Sequence, residues 1–397
     1  MKKLLLIAFV LLFSVAAQAD TPPDPQQPAP QTSSQPTSQS VVAPIETTAS
    51  QVILIDAATG DVLMAKNADE RMATSSMIKV LTMYLTFEAL RSGKLHLDDL
   101  VTVSENAWKQ EGSRMFLNVG EKVRVEDLIR GVIIQSGNDA AVALAEALGG
   151  SEGNFAAMMN TKAQELGMTQ SHFMNAPGLP DPDHYSTARD LARLALATIR
   201  DFPEYYHYFS EIEFTHNNIK QGNRNPLLYR GIGVDGLKTG HTEVAGFGLM
   251  ASSLRDGRRM VLVINGLHSM QERADEPAKI LDWGYREFGL YDLLKKDQKV
   301  ADAKIWLGTT PSVPLVAAKN VVLSLPRGLR SSLKVAYDYV QPVEAPIARG
   351  QTLGKIVVSA AGMNDIEVPL VSGQSVARLG FFGRVAAKLR LLFGHGS

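Results

Sequence analysis

The sequence predicts an α/β chain of the α+β kind: an antiparallel sheet with a helical subdomain, then a small all-β domain and a terminal amphipathic helix. Three observations carry this. Strand patterns near Val52 and Val62 are separated by a long helical block from strand patterns at Val234–Thr242, Gly246–Ser253 and Arg259–Asn265, which implies a sheet closed from both ends of the domain with a cleft beside the inserted helices. From about Val300 the texture changes to short strands punctuated by Gly and Pro. Near the end, apolar and basic residues segregate at helical spacing.

Taken in order, Lys2 and Lys3, the apolar run Leu4 to Val15 and Ala17-Gln18-Ala19 have the form of a secretory signal over residues 1–19. Residues 20–48 are Pro, Gln, Ser and Thr with little to bury, the composition of a disordered tether. A catalytic domain is expected over 49–295. It opens with a hairpin, Val52–Ile55 and Val62–Met64 across Thr59-Gly60-Asp61. A helix follows over Met72–Leu85, with Met77, Val80, Leu81, Tyr84 and Leu85 at helical spacing and Thr74 and Ser75 as caps. Helical patterns continue from Leu100 to Leu166 with breaks at Gly112, Gly120, Gly137 and Gly149-Gly150, and Ala140–Leu148 is apolar enough to pack deep. Asn175–Ser186, with three prolines, reads as a loop and Thr187–Arg200 as a helix. Asp256-Gly257 marks a hairpin between the last two strands, and Pro277–Phe288 a closing helix. The small β domain is expected over 296–372 and serves structure or docking, since it gathers no chemical cluster. The terminal helix falls in 373–397.

Composition narrows the partners. The 40 basic and 41 acidic residues leave no excess charge to favour nucleic acid, and an exported chain without cysteine must rest on its core instead of disulfides. The histidines show no metal-ligand spacing, so neither a metal nor another cofactor is expected.

The chemistry centres on Ser76-Met77-Ile78-Lys79. Residues three apart share a helix face, so Lys79 can reach the Ser76 hydroxyl and act as its base once its pKa is lowered. At the start of a helix, free N–H groups and the helix dipole favour developing negative charge. Ser136-Gly137-Asn138 follows in a break between helical runs, and Lys238-Thr239-Gly240 ends a strand, with His241-Thr242 after it. Each alone is unspecific.

Together, in this order and spacing, they resemble the penicillin-recognising serine enzymes, the fold of β-lactamases and DD-peptidases. The runs Leu166-Gly167-Met168, Gly178-Leu179, His184 to Asp190, Asn223-Arg224-Asn225 and Lys238 to Thr242 are similar to the low-molecular-mass penicillin-binding proteins that are D-alanyl-D-alanine carboxypeptidases. The resemblance runs from about residue 45 to the end. It implies a serine peptidase that removes the terminal D-alanine from peptidoglycan stem pentapeptides and is acylated by β-lactams. Ser76 is then the nucleophile, Lys79 the general base and Ser136 a proton relay. Asn138 orders Lys79 or holds a substrate amide. The backbone N–H groups of Ser76 and His241 form the oxyanion hole. Lys238, Thr239, Gly240, His241 and Arg259 bind substrate, with Arg259 preferred to Arg258, whose side chain faces the other way. One departure is Thr74-Ser75, where many relatives have a proline. For Arg189 and Asp190 two readings stand: a brace for the Ser-Gly-Asn loop or a surface ion pair.

Three rivals are weighed. A β-lactamase needs a second general base, and no glutamate lies between Glu165 and Asp190. Endopeptidase relatives generally lack the trailing domain and anchor. A wall-binding scaffold has no need of an intact motif trio. In the tail, Phe381, Phe382, Val385, Ala386, Leu389, Leu392 and Phe393 share one helical face and Arg384, Lys388 and Arg390 the other, with Leu391 and Arg378 breaking the division. That design suits an anionic membrane surface, here the periplasmic face of the inner membrane; the alternative is a helix packed on its own β domain.

Overall fold

A computed structural model describes Val42, residues 45–360 and residues 365–393, the last six as backbone only. The signal segment and most of the tether lie outside the described residues. At the tether's end Ile45 packs against the core, and Ala49, the first residue of the expected catalytic domain, is fully buried.

The order is β1 (Gln51–Asp56), β2 (Val62–Lys66), α1 (Lys79–Arg91), β3 (Leu100–Thr102), α2 (Glu105–Trp108), β4 (Lys122–Arg124), α3 (Val125–Ile133), α4 (Asn138–Gly149), α5 (Glu152–Glu165), α6 (Ala188–Asp201), β5 (Glu213–His216), β6 (Ile219–Gly222), β7 (Val234–Thr242), β8 (Gly246–Arg255), β9 (Arg258–Leu267) and α7 (Met270–Glu287). The main sheet runs β2-β1-β9-β8-β7, so the first hairpin completes a sheet begun by the last three strands. All four pairings are antiparallel.

Two cores follow from the period-two alternation of these strands. Ile53, Ile55, Met250, Val261 and Val263 face the helical subdomain, joining Leu81 and Phe87 of α1, Leu144 of α4 and Leu191 of α6. Val52, Leu54, Leu249, Ala251 and Leu262 face the other way, onto Ile280, Leu281 and Trp283 of α7. Lys238 of β7 pairs with Met250, which pairs with Val263, so Lys238 belongs to the helical side.

The expected long helix over Met72–Leu85 is shorter and later. Residues Ser75–Ile78 form a 3₁₀ turn and α1 begins at Lys79. Thr74 and Ser75 are not side-chain caps: Thr74 makes no capping bond and Ser75 adopts φ 48°. The block after Leu100 also contains a small ladder, β3 with β4, that the helical pattern hid. The closing helix starts at Met270, where Ser269 caps it by accepting from the Glu272 N–H at 3.1 Å, and it carries Pro277 within it.

The trailing region comprises β10 (Phe288–Leu294), β11 (Lys299–Trp306), β12 (Ser312–Ala317), β13 (Val321–Pro326), β14 (Lys334–Tyr339), β15 (Val343–Glu344), β16 (Thr352–Ser359) and β17 (Ile366–Ser372). It has its own core, including Val313, Leu315, Leu323, Ile356 and Leu370. Strand pairing starts at Phe288, opposite Pro326, eight residues before the expected boundary at 296. The reason is that β10 runs directly out of α7 and leaves no linker to read. Helix α8 (Phe381–Phe393) ends the described chain, with Phe381, Phe382 and Val385 exposed. Among the described residues, no helix is long and apolar enough to cross a membrane.

Candidate active site

The 3₁₀ turn does for Ser76 what an α-helix would do less well. In a 3₁₀ helix, side chains three apart eclipse one another, and the Lys79 Nζ donates to Ser76 Oγ at 2.9 Å. The turn is held from two sides. The loop after α5 brings Gly178 so close that a Cβ there would stand 2.1 Å from the Ser75 carbonyl oxygen, and its φ of +80° also suits glycine. On the other side Ser75 Oγ donates to Thr242 Oγ1 at 3.4 Å.

Lys79 is fully buried. Its remaining hydrogens go to Asn138 Oδ1 and the Pro177 carbonyl, both at 2.7 Å. Burial first, and the Arg224 charge second, lower its pKa to about 7, against the opposing pull of Asp139. A lysine so placed is substantially neutral near neutral pH and can accept a proton.

Ser136 sits in the left-handed region at φ 62°, a strain that costs on the order of 1–3 kcal/mol. Its neighbours fix it there: the Gly137 N–H donates to the Gly131 carbonyl at 2.9 Å and the Asn138 N–H to the Ser113 carbonyl at 2.7 Å. The buried Ser136 Oγ has no partner. Asn138 spans the site, donating from Nδ2 to the Glu111 carbonyl at 2.6 Å. Next to it, buried Asp139 accepts from the Met115 N–H at 2.9 Å and the Leu117 N–H at 3.2 Å, tying residues 111–117 to the start of α4.

These groups open onto a cleft of about 430 Å³ lined by Ser76, Ser113, Ser136, Arg224, Thr239, Gly240, His241, Phe247, Met270 and Arg273. Lys238 lies beneath it, buried, donating to the Thr239 carbonyl at 3.1 Å. Burial, then the charges of Lys79, Arg224 and Arg273, push its pKa well below the ordinary lysine value. The His241 ring is exposed and stacks on Phe247 at 4.0 Å.

The structure therefore brings Ser76, Lys79, Ser136, Asn138, Lys238, Thr239, Gly240 and His241 together, but not Arg259. Arg259 is on the right face of the sheet at the wrong end. It stands four positions along β9 from Val263, the residue in line with Lys238, which is about 13 Å at strand rise. There it forms a two-pronged ion pair with Asp235 at 2.7 and 2.8 Å and donates to Ser252 Oγ. Arg258 does face the other way and is likewise engaged, with Asp56 at 2.7 Å.

The cleft's cations are instead Arg224 and Arg273. Arg224 donates to Ser113 Oγ. Arg273, in the first turn of α7, reaches the Gly240 carbonyl at 3.5 Å and lies over the Phe247 ring, while its buried Nε has no partner. Arg224 was visible only within the Asn223-Arg224-Asn225 run; nothing local marks Arg273, because only the docking of α7 on β8 and β9 brings it to the Gly240 carbonyl. Arg189 and Asp190 do not brace the Ser-Gly-Asn loop. Arg189 pairs with Asp69 at 2.7 Å, and Asp190 holds Ser171 Oγ at 2.8 Å and Arg193. Among the described residues no group of His, Asp and Glu is arranged to hold a metal.

A serine with a lysine base, a second hydroxyl at hand and a cationic end define a serine acyl-transfer enzyme acting on an anionic substrate. Comparison makes the class specific. Residues 36–268 match the family described as D-alanyl-D-alanine carboxypeptidase, and residues 288–378 match the penicillin-binding protein 5 C-terminal domain. The chain is 40% identical over 341 residues to D-alanyl-D-alanine carboxypeptidase DacC of Escherichia coli, covering 84% of this chain and 85% of that protein. It is 38% identical over 350 residues to DacA of Haemophilus influenzae, covering 87% and 89%. Among solved structures, penicillin-binding protein 5 from Haemophilus influenzae matches at TM-score 0.77 with 39% identity, covering 85% of this chain and all of that one. Penicillin-binding protein 6B from Escherichia coli matches at TM-score 0.70 with 35% identity, covering 85% of this chain and 98% of that one. The chain belongs to the D-alanyl-D-alanine carboxypeptidase family of serine peptidases.

Proposed function

We propose that this serine D-Ala-D-Ala carboxypeptidase removes the terminal D-alanine of peptidoglycan stem pentapeptides through an ester on Ser76. The observation that carries the residue roles is the hydrogen-bonded chain from half-buried Ser76 through buried Lys79 to Asn138, opening onto a cleft whose far wall is cationic. Neutral Lys79 takes the Ser76 proton as Oγ attacks the carbonyl carbon of the penultimate D-Ala, and the C–N bond to the terminal D-Ala then breaks as its leaving amine gains that proton by way of Ser136 Oγ. Water hydrolyses the ester and frees Ser76. Lys238, Thr239, Arg224 and Arg273 hold the terminal carboxylate, while Gly240 and His241 offer the strand edge along which the peptide lies. The backbone N–H groups of Ser76 and His241 stabilise the oxyanion. A β-lactam enters the same sequence and leaves its acyl group on Ser76. The β-lactamase reading is weaker because the loop over the site presents the Pro177 carbonyl to Lys79, not a carboxylate.

The amino-terminal signal and α8 support export and attachment to the periplasmic face of the inner membrane. Exposed Phe381, Phe382 and Val385 enter the lipid interface and the basic face meets anionic headgroups. Mass spectrometry after incubation with a diacyl-D-Ala-D-Ala peptide and with penicillin tests the reaction: release of D-Ala and one penicilloyl adduct on Ser76 are expected. Release without a Ser76 adduct refutes the proposed nucleophile.

A further inference from the structure

A second concentration of positive charge lies far from the catalytic cleft, in a groove of about 810 Å³ where the main sheet meets the trailing β domain. Five arginines line it, Arg255 from β8, Arg258 from β9, Arg286 from α7, and Arg327 and Arg330 from the 3₁₀ turn after β13, against only Asp256 and Asp282. Arg258 is spent on structure: it donates to Asp56 at 2.7 Å and to the Phe288 carbonyl and Ser324 Oγ at 2.6 Å, joining the two blocks.

The other four keep unspent capacity. Arg255 uses Nε on the Ile232 carbonyl at 2.8 Å and Nη1 on Asp282 at 2.6 Å, but its buried Nη2 has no partner. Arg286 offers only Nε to Glu287, at 2.8 Å, and its side chain is largely exposed. Arg327 donates to the Arg286 and Tyr285 carbonyls, at 3.1 and 3.4 Å, and among the described residues no carboxylate pairs with it. Exposed Arg330 lies 5.8 Å from the Tyr291 ring, and among the described residues no carboxylate pairs with it. Arg255, Arg258 and Arg286 each have a carboxylate partner, in Asp282, Asp56 and Glu287, so the open charges are Arg327 and Arg330, two like charges on one turn whose mutual repulsion an anionic ligand would relieve.

We propose that this groove binds a phosphate-bearing anion of two or more charges. Guanidinium groups from three elements, approaching from both blocks, suit a tetrahedral oxyanion with three or more acceptor oxygens better than a carboxylate, whose two oxygens lie in one plane. The groove is also too large for a monatomic anion. Because no cleft residue lines it, the site stands independently of the catalytic reading.

The probe is inorganic pyrophosphate, titrated calorimetrically into the full chain at fixed ionic strength. Saturable binding is expected, weakened at least about tenfold in R327A/R330A with no change in melting temperature and partly restored in R330K. Absence of binding at millimolar pyrophosphate, or equal affinity in the double variant, overturns the proposal. Vesicles then distinguish the source of the phosphate. If capture on phosphatidylglycerol vesicles falls in the double variant and pyrophosphate displaces the wild type, the ligand is a lipid headgroup. If capture is equal while pyrophosphate affinity falls, the ligand is a soluble phosphate compound.

Discussion

Arg258 and Arg259 within the main sheet, on the one hand, and the basic residues of the cleft, on the other, are compensated in opposite ways. Arg258 and Arg259 are each closed off by an aspartate, Asp56 and Asp235, with hydroxyl or carbonyl oxygens taking further donors. By contrast, Lys79, Lys238, Arg224 and Arg273 crowd the cleft, and among the described residues none of them has a carboxylate within ion-pair distance. Burying an unpaired cation is costly, and at Lys79 and Lys238 that cost is expressed as a lowered pKa. Arg258 and Arg259 hold the fold together, whereas Arg224 and Arg273 keep donor capacity at the cleft, which the proposed function assigns to an anionic substrate. An arginine's meaning here lies in what already compensates it, which its place in the sequence does not reveal.

The largest effect that tests this contrast is at the nucleophile. Ser76→Ala and Lys79→Ala should each lower turnover by roughly 10⁴-fold or more, as removal of members of a catalytic unit does, and Ser76→Ala should abolish penicillin labelling. Stopped-flow acylation and gel labelling check this, and labelling at another serine contradicts the site.

Next come the arginines. Arg273→Ala should cost about 2–5 kcal/mol in kcat/KM on a substrate with a free terminal carboxylate, the price of an anion left without its charged partner. Arg259→Ala should leave that selectivity intact but lower stability by about 1–3 kcal/mol, since Asp235 loses its partner; denaturant unfolding measures it.

A smaller effect concerns pH. Acylation needs neutral Lys79, so its rate should rise with pH through an apparent pKa of about 7. Removing the Arg224 charge, the second cause of that depression, should move this limb to higher pH in Arg224→Gln. The linked stability has the same sign. Between the folded value of about 7 and the ordinary lysine value of 10.5, the unfolded chain holds a proton that the folded chain does not, so stability from this group rises with pH across that window. A limb that fails to shift assigns the depression to burial alone.

The smallest effect should come from deleting residues 375–397, which leaves turnover of a small soluble peptide unchanged while liposome capture falls. Loss of thermal stability, with an intact protein that ignores liposomes, favours α8 as a helix packed on its own domain.

What the sequence made legible follows the same division. The strands of the main sheet and the helical insertion were readable because β1 and β7 to β9 alternate cleanly between two cores, whereas the pairing of β1 with β9 is a long-range fact. Ser76 and Lys79 were readable because their contact is local, and the 3₁₀ turn in place of an α-helix changed the backbone without separating them. Ser136 to Asn138 and Lys238 to His241 were readable as motifs. Arg259 was misplaced because strand alternation fixes the face of a residue and not its distance along the strand from the site. Arg273 was missed because its position depends on how α7 docks, a long-range fact with no local pattern.

The most direct test of the central claim compares one peptide with its own amide. With diacyl-D-Ala-D-Ala and its C-terminal carboxamide as substrates, the ratio of kcat/KM values is measured for wild type, Arg273→Ala and Arg259→Ala. The expected result is a preference for the carboxylate that collapses in Arg273→Ala and survives in Arg259→Ala. A preference that survives in Arg273→Ala and collapses in Arg259→Ala contradicts the division between open and compensated charge.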